Sequence, residues 1–141
     1  MADMVPTSIQ LQIVTPDREI ADVEVDEVSI PGKDGYLGVL PGHAPLLTEL
    51  QAGTLEYRQG GNRRYVAIHW GFAEVLSGRV IVLAEIAERA EDIDVERAEA
   101  KRRRLEEYLK SHPESDPEIQ KARDDLRRAI CRLETAHHAR S

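Results

Sequence analysis

The feature that most constrains this chain is where its glycines stop. All nine lie at or before Gly78, and none follows in the remaining 63 of 141 residues. Up to about residue 85, short runs alternate apolar and polar residues, and Gly or Pro punctuates them. From Val95 onward, Arg, Glu and Ala recur at helical spacing. A chain of this kind folds as a β half followed by a helical half, with the change falling within Glu88 to Ala98. Asp94 is placed to accept backbone N–H bonds as the N-cap of the first helix, with Asp92 and Glu96 near the positive end of its dipole.

The strand signals run in order. Ser8 to Val14 alternates strictly, and Thr15-Pro16-Asp17-Arg18 turns the chain. Ile20 to Ile30 alternates with a phase change at Asp26-Glu27, which signals a bulge or break. Pro31 to Gly35 is a loop, Tyr36 to Leu40 a short strand, Pro41 to Pro45 a turn, and Leu46 to Leu50 extended. Gln59-Gly60-Gly61-Asn62 joins Gly53–Arg58 to Arg64–Trp70 as a hairpin, and Ser77-Gly78 joins Gly71–Leu76 to Arg79–Glu85. Some eight to ten short strands with no intervening helix favour a β-sandwich or small barrel over a parallel nucleotide-binding sheet. With one Phe and one Trp, the core must rest on Val, Leu and Ile.

The first helix is expected from about Val95 to Lys110, with a thin stripe of Val95, Ala98, Leu105, Tyr108 and Leu109 interrupted by Arg102. The second should start at Asp116-Pro117, with Asp as N-cap and Pro at the first helical position. Its stripe is Ile119, Ala122, Leu126, Ala129, Ile130 and Leu133. The tail from His137 should fray. Helices this short are marginal alone, and stripes this thin bury little. The hairpin can therefore detach or extend for a few kcal/mol. A ligand at a hundred times its dissociation constant contributes about 2.7 kcal/mol to the form that binds it, enough to choose between states.

Net charge is −7, distributed unevenly: residues 1–90 carry 7 Lys/Arg against 13 Asp/Glu, and residues 91–141 carry 12 against 13. Such a balance disfavours nucleic-acid binding, which rests on phosphate neutralisation. No apolar run approaches a membrane span, and the opening Met-Ala-Asp-Met-Val-Pro has no secretion signal. One cysteine, Cys131, excludes a disulfide framework and suits a reducing cytosol. Arg97 and Arg104 share a helix face at two turns, and Arg128 and Arg132 share one at a single turn. Four guanidiniums on adjacent helices could meet a polyphosphate. The bland reading is a solvated helix surface. His43 reads as a structural loop histidine or subunit contact, His69 as packed within or between strands, and Cys131 as a passive thiol. No catalytic constellation stands out.

Asp34-Gly-Tyr-Leu-Gly-Val-Leu-Pro-Gly-His-Ala-Pro-Leu-Leu47 resembles the signature of the epsilon subunit of bacterial F-type ATP synthase, and the order of elements is similar over essentially the whole chain. The resemblance implies an α+β fold: a ten-stranded β-sandwich at 1–90 and a two-helix antiparallel hairpin at 91–141. It implies a non-catalytic, peripheral subunit at the cytoplasmic face of the bacterial inner membrane. Its partners would be the gamma subunit, the c-ring and, with the hairpin extended, the alpha/beta catalytic head, where it inhibits ATP hydrolysis. The family's Ile/Leu-Asp-x-x-Arg-Ala motif is matched by Ile93, Asp94, Arg97 and Ala98, with Glu88, Arg104, Arg128 and Arg132 at its further ATP-binding positions. No cofactor is required; regulatory ATP is expected, with Mg²⁺ left open. The ring-facing loop falls on Lys33, Asp34, Gly35 and Tyr36, where Tyr36 replaces a family acidic residue, and His43 is a further interface candidate. Two other readings remain: a free-standing ATP-sensing module, and a structural adaptor that never binds nucleotide.

Overall fold

A computed structural model describes residues 5–140 of the chain. Eight strands form first: β1 (Ile9–Val14), β2 (Glu19–Val25), β3 (Glu27–Gly32), β4 (Gly35–Val39), β5 (Leu46–Leu50), β6 (Gly53–Gln59), β7 (Asn62–Leu76) and β8 (Arg79–Arg89). A single 3₁₀ turn, Ala90–Asp92, leads to α1 (Val95–Ser111) and α2 (Ile119–Arg140). The alternation that predicts the strands is seen in the packing. Ile9, Leu11 and Ile13 are buried while the residues between them face outward. The phase change at Asp26-Glu27 is the break between β2 and β3.

The described residues hold eight strands, not ten. Arg64–Trp70 and Gly71–Leu76, expected as separate segments, run on as the single strand β7. The ladder to β8 continues on both sides of the junction, with His69 opposite Ile86 and Gly71 opposite Ala84. The chain bends there without breaking, since Trp70 has φ 52° and Gly71 φ 145°. That bend lets one strand serve two sheets. Residues 62–68 pair with β6 and residues 71–75 with β5. β8 follows β7 through the bend and extends to Arg89, beyond the expected Glu85. One face of the sandwich is thus β2-β1-β8-β7-β5, and the other is built on β4-β3-β6-β7. β1 lies parallel to β8.

The core between the layers is aliphatic: Leu11, Ile13, Val28, Ile30, Leu55, Ile68, Val75 and Val82 are essentially inaccessible. The one Phe, Phe72, is 51% exposed and lies outside it.

The hairpin is folded back on the sandwich. α2 lies against β6 and β7, and α1 packs on α2. Ala98 is the buried residue of α1, in keeping with its thin stripe. Arg102, which interrupts that stripe, is neutralised by Glu99 and by Glu106 at 2.7 Å. Two expectations need correction. α2 begins at Ile119 rather than Pro117, because Asp116 Oδ1 accepts the Glu118 N–H at 2.8 Å and holds residues 116–118 in a turn. The tail does not fray at His137: the helix continues to Arg140, and His138 stacks on Tyr65 of β7 at 5.8 Å between ring centres. The connection is pinned as well, by the Tyr108 hydroxyl donating to Asp116 Oδ2 at 2.7 Å.

Candidate functional site

Three elements converge where the sandwich hands over to the hairpin. The end of β8 points Glu88 toward α2. Asp94 stops the chain and starts α1, accepting the Arg97 N–H on Oδ1 at 3.1 Å. The first turn of α1 then presents Arg97 and Ala98, and the middle of α2 presents Arg132. Glu88, Asp94, Arg97, Ala98 and Arg132 line one cleft of about 330 Å³, together with Asp92 and Lys101. Arg132 Nε donates to Glu88 Oε1 at 2.9 Å, which ties α2 to the end of β8. Ala98 is 2% exposed, so the backbone of α1 approaches closely at the back of the cleft.

The remaining expected residues lie elsewhere. Ile93 faces a neighbouring cleft with Arg63, Arg64, Tyr65 and Arg140. Arg104 borders a different hollow, between the helices, with Leu105, Tyr108 and Lys121. Arg128 Nη2 is held by Asp125 Oδ1 at 2.9 Å. Asp125 also accepts from Lys121 at 2.8 Å, and that bond holds its carboxyl below the usual range, with the Arg128 charge assisting. In the folded hairpin the four arginines therefore do not share one cleft: Arg97 and Arg132 do. Lys101 joins Arg97 in the cleft, and its spacing of four from Arg97 is the sequence signal for it.

The interface beneath α2 was not legible as a site. Cys131 Sγ donates to Gly53 O at 3.3 Å, and Thr135 Oγ1 shares a 2.8 Å hydrogen bond with Thr54 Oγ1. Both helix residues are buried, and burial pushes the Cys131 thiol up to about 11. His69 is buried, 0% exposed, as expected, but beside Arg132 and Arg128 of α2 rather than only within or between strands. Burial lowers its pKa to about 4, assisted by the nearby charges of Arg132 and Arg128, so the ring is neutral.

At the other candidate surface, Lys33 and Asp34 form the two-residue turn between β3 and β4, with Gly32 opposite Gly35. Gly35 has φ 132°, which a side chain would strain. Lys33 pairs with Glu49 at 3.2 Å. Tyr36 is 60% exposed, yet its hydroxyl accepts the Thr54 N–H at 3.0 Å. His43 lies beyond the opposite end of β4. Its Nδ1 contacts Ala44 O at 2.7 Å, and it sits beside Gly42, whose N–H donates to Ser77 O at 2.6 Å. Lys33–Tyr36 and His43 thus belong to two ends of the sandwich. A third surface is apolar: Leu47, Phe72 and Leu83 are each more than half exposed on β5, β7 and β8. Phe72 lies directly opposite Leu83 in the ladder.

Chemically, the hairpin cleft offers cations and carboxylates at short range, a binding arrangement. Among the described residues, no group of three or more His, Cys, Asp or Glu is placed to hold a metal ion. No described helix is long and apolar enough to cross a membrane.

Known proteins fit both parts of this architecture. The family model of the ATP synthase delta/epsilon chain β-sandwich domain matches residues 8–90, and that of the family's long α-helix domain matches residues 91–137. The ATP synthase epsilon chain of Desulforamulus reducens is 47% identical over 127 residues, spanning 90% of this chain and 96% of that protein. The ATP synthase epsilon chain of Trichlorobacter lovleyi is 44% identical over 131 residues, spanning 93% and 95%. A chain in the OSCP/F1/c-ring structure of Euglena gracilis mitochondrial ATP synthase superposes with a TM-score of 0.82 at 27% identity, over 98% of this chain and 86% of that one. The two-part fold, the family models that divide it between them and relatives of nearly equal length agree: the chain belongs to the family of ATP synthase epsilon chains, subunits of the central stalk of the F-type enzyme.

Proposed function

We propose that this chain is a non-catalytic regulator of its ATP synthase: the sandwich couples the catalytic head to the c-ring through the gamma subunit, and the hairpin inhibits ATP hydrolysis when it leaves the sandwich. ATP bound to the folded hairpin would oppose that inhibition. The observation that carries this reading is the meeting of Glu88, Asp94, Arg97, Ala98 and Arg132 at one cleft whose walls are the sandwich and both helices. A ligand that touches β8, α1 and α2 together stabilises the folded arrangement over any extended one. Arg97 and Arg132 supply planar donors for phosphate oxygens. Arg128 would join them by exchanging Asp125 for phosphate, whereas Arg104, in the hollow between the helices, would remain outside the cleft.

The apolar patch of Leu47, Phe72 and Leu83 supports a protein partner, since monomers rarely leave such surfaces uncovered. We assign it to gamma, and the β3–β4 turn to the c-ring. Attachment to the cytoplasmic face of the membrane then comes through those partners alone. The structural-adaptor reading shares these surfaces and differs only in the cleft.

Calorimetric titration of the isolated chain with ATP tests this, beside Arg97→Ala and Arg132→Ala. Charge-assisted bonds of about 1.5–3 kcal/mol predict roughly 10- to 100-fold weaker binding for each. Arg103→Ala, a 73% exposed side chain outside the cleft, should bind within about twofold of the unmodified chain. No saturable binding at millimolar ATP would leave the adaptor reading. In the assembled complex, truncation after Ala90 should retain coupling and abolish inhibition.

A further inference from the structure

The two residues that begin β6 touch both Tyr36, beside the β3–β4 turn, and α2. On one side, Thr54 N–H donates to the Tyr36 hydroxyl at 3.0 Å, and Tyr36 leads out of the β3–β4 turn. On the other, Gly53 O accepts from Cys131 at 3.3 Å and Thr54 Oγ1 meets Thr135 Oγ1 at 2.8 Å, both on α2. We propose that Tyr36, Gly53 and Thr54 are positioning residues that make the docking of α2 depend on the conformation of the β3–β4 turn.

The packing leaves little slack in this connection. A Cβ built on Gly53 would lie 2.6 Å from Pro31 Cβ and 2.7 Å from the Tyr36 hydroxyl, so only glycine lets the turn and β6 approach this closely. Two further backbone bonds tie the base of the turn to the same corner: Lys33 N–H to Glu49 O at 2.9 Å, and Gln51 N–H to Pro31 O at 3.0 Å. A displacement of the turn therefore moves the start of β6 rather than being absorbed between them, because close-packed groups transmit strain. The helix is seated on that corner by two buried polar contacts. Thr54 and Thr135 are 7% and 0% exposed, so a shift that parts them while α2 stays seated takes a buried partner from the Thr54 hydroxyl. A shift of a few tenths of an ångström in Thr54 weakens the docked state, and the hairpin's thin apolar stripe offers little to offset it.

Tyr36 is also suited to receive a signal. Its ring is 60% exposed while its hydroxyl is engaged within the fold. A partner that covers the ring alters the hydroxyl's position without entering the interface beneath α2. The inference rests on the proposed function only for what presses on the turn, the rotor ring. The coupling itself belongs to the isolated chain. Coupling between two sites is reciprocal, so undocking α2 must also loosen the turn.

Cys131 is the one cysteine and is 4% exposed, so its reaction with a maleimide reports the opening of α2. Tyr36→Phe removes one hydroxyl and keeps the ring. In the full chain it should speed Cys131 labelling about 3- to 10-fold, the value of one hydrogen bond. Thr135→Val should in turn speed amide exchange at Thr54 and Lys33 relative to the β1–β2 hairpin. An unchanged labelling rate in Tyr36→Phe overturns the proposal. So does exchange that rises equally in β1–β2, which would mark a general loss of stability. Neither readout uses nucleotide or stalk, so this coupling and the proposed function fail independently.

Discussion

Thr54 and Thr135 stand 81 positions apart in sequence and share a buried hydrogen bond of 2.8 Å between their hydroxyl oxygens. It joins the sandwich to the second helix at the point where neither hydroxyl reaches water. Removing the Thr135 hydroxyl takes the partner from a buried Thr54 hydroxyl, at about 1–3 kcal/mol, whereas Thr135 also has the Cys131 thiol beside it. Thr135→Val should lower stability by that amount, and Thr54→Val by less, because Cys131 remains beside Thr135. The double variant, which replaces both hydroxyls by methyls of similar shape, should cost less than the sum. Urea unfolding of the four proteins measures this, and strict additivity would remove the bond from the account of docking.

His69 predicts how docking responds to acid. Its ordinary pKa of 6.5 falls to about 4 in the fold, through burial first and then the charges of Arg132 and Arg128 on α2. The fold thus excludes the proton. Stability is fully present above pH 6.5 and declines as pH falls from 6.5 toward 4, by up to about 3 kcal/mol. His69→Leu should flatten this part of the profile relative to the unmodified chain. Thermal unfolding between pH 4.5 and 7.5 compares them, and parallel profiles would count against a neutral, buried ring.

Gly71 is required by the bend of β7. A Cβ there would lie 2.0 Å from Leu83 O, and φ is 145°. Gly71→Ala should therefore destabilise by about 3 kcal/mol or more. Gly61→Ala, where a Cβ meets nothing within 4 Å, is the control and should stay within about 0.5 kcal/mol. Equal unfolding midpoints for the two variants would refute the assignment.

Phe72 and Leu83 contribute little to the isolated fold, being 51% and 55% exposed. Phe72→Ser with Leu83→Ser should leave the unfolding temperature nearly unchanged and weaken association with gamma at least about 10-fold. Co-purification and calorimetry with gamma read this. Undiminished binding would move the gamma contact to another face.

Strand runs, turns and the Asp94 cap were legible along the chain because each depends on neighbours a few residues away. The hairpin turns at Gly60-Gly61 and Ser77-Gly78, the aliphatic core and the onset of α1 follow from alternation, glycine and capping chemistry alone. The cleft was legible in part: Glu88, Asp94, Arg97, Ala98 and Arg132 do meet. Which guanidinium finds which carboxylate was not, since Arg128 turns to Asp125 and Arg104 to another hollow through the rotation of two helices about their axes.

Long-range pairing decided the rest. Periodicity cannot tell a broken strand from a bent one, so alternation alone divides β7 where the ladder to β8 continues. Nothing local marks Thr54, Thr135, Cys131 and His69 as neighbours. They become so only because α2 crosses β6 and β7 with that face inward. Local rules therefore specify the elements and the cap that begins the hairpin, whereas the seat of α2, the neutral histidine beneath it and the link to Tyr36 arise from packing across the whole sequence.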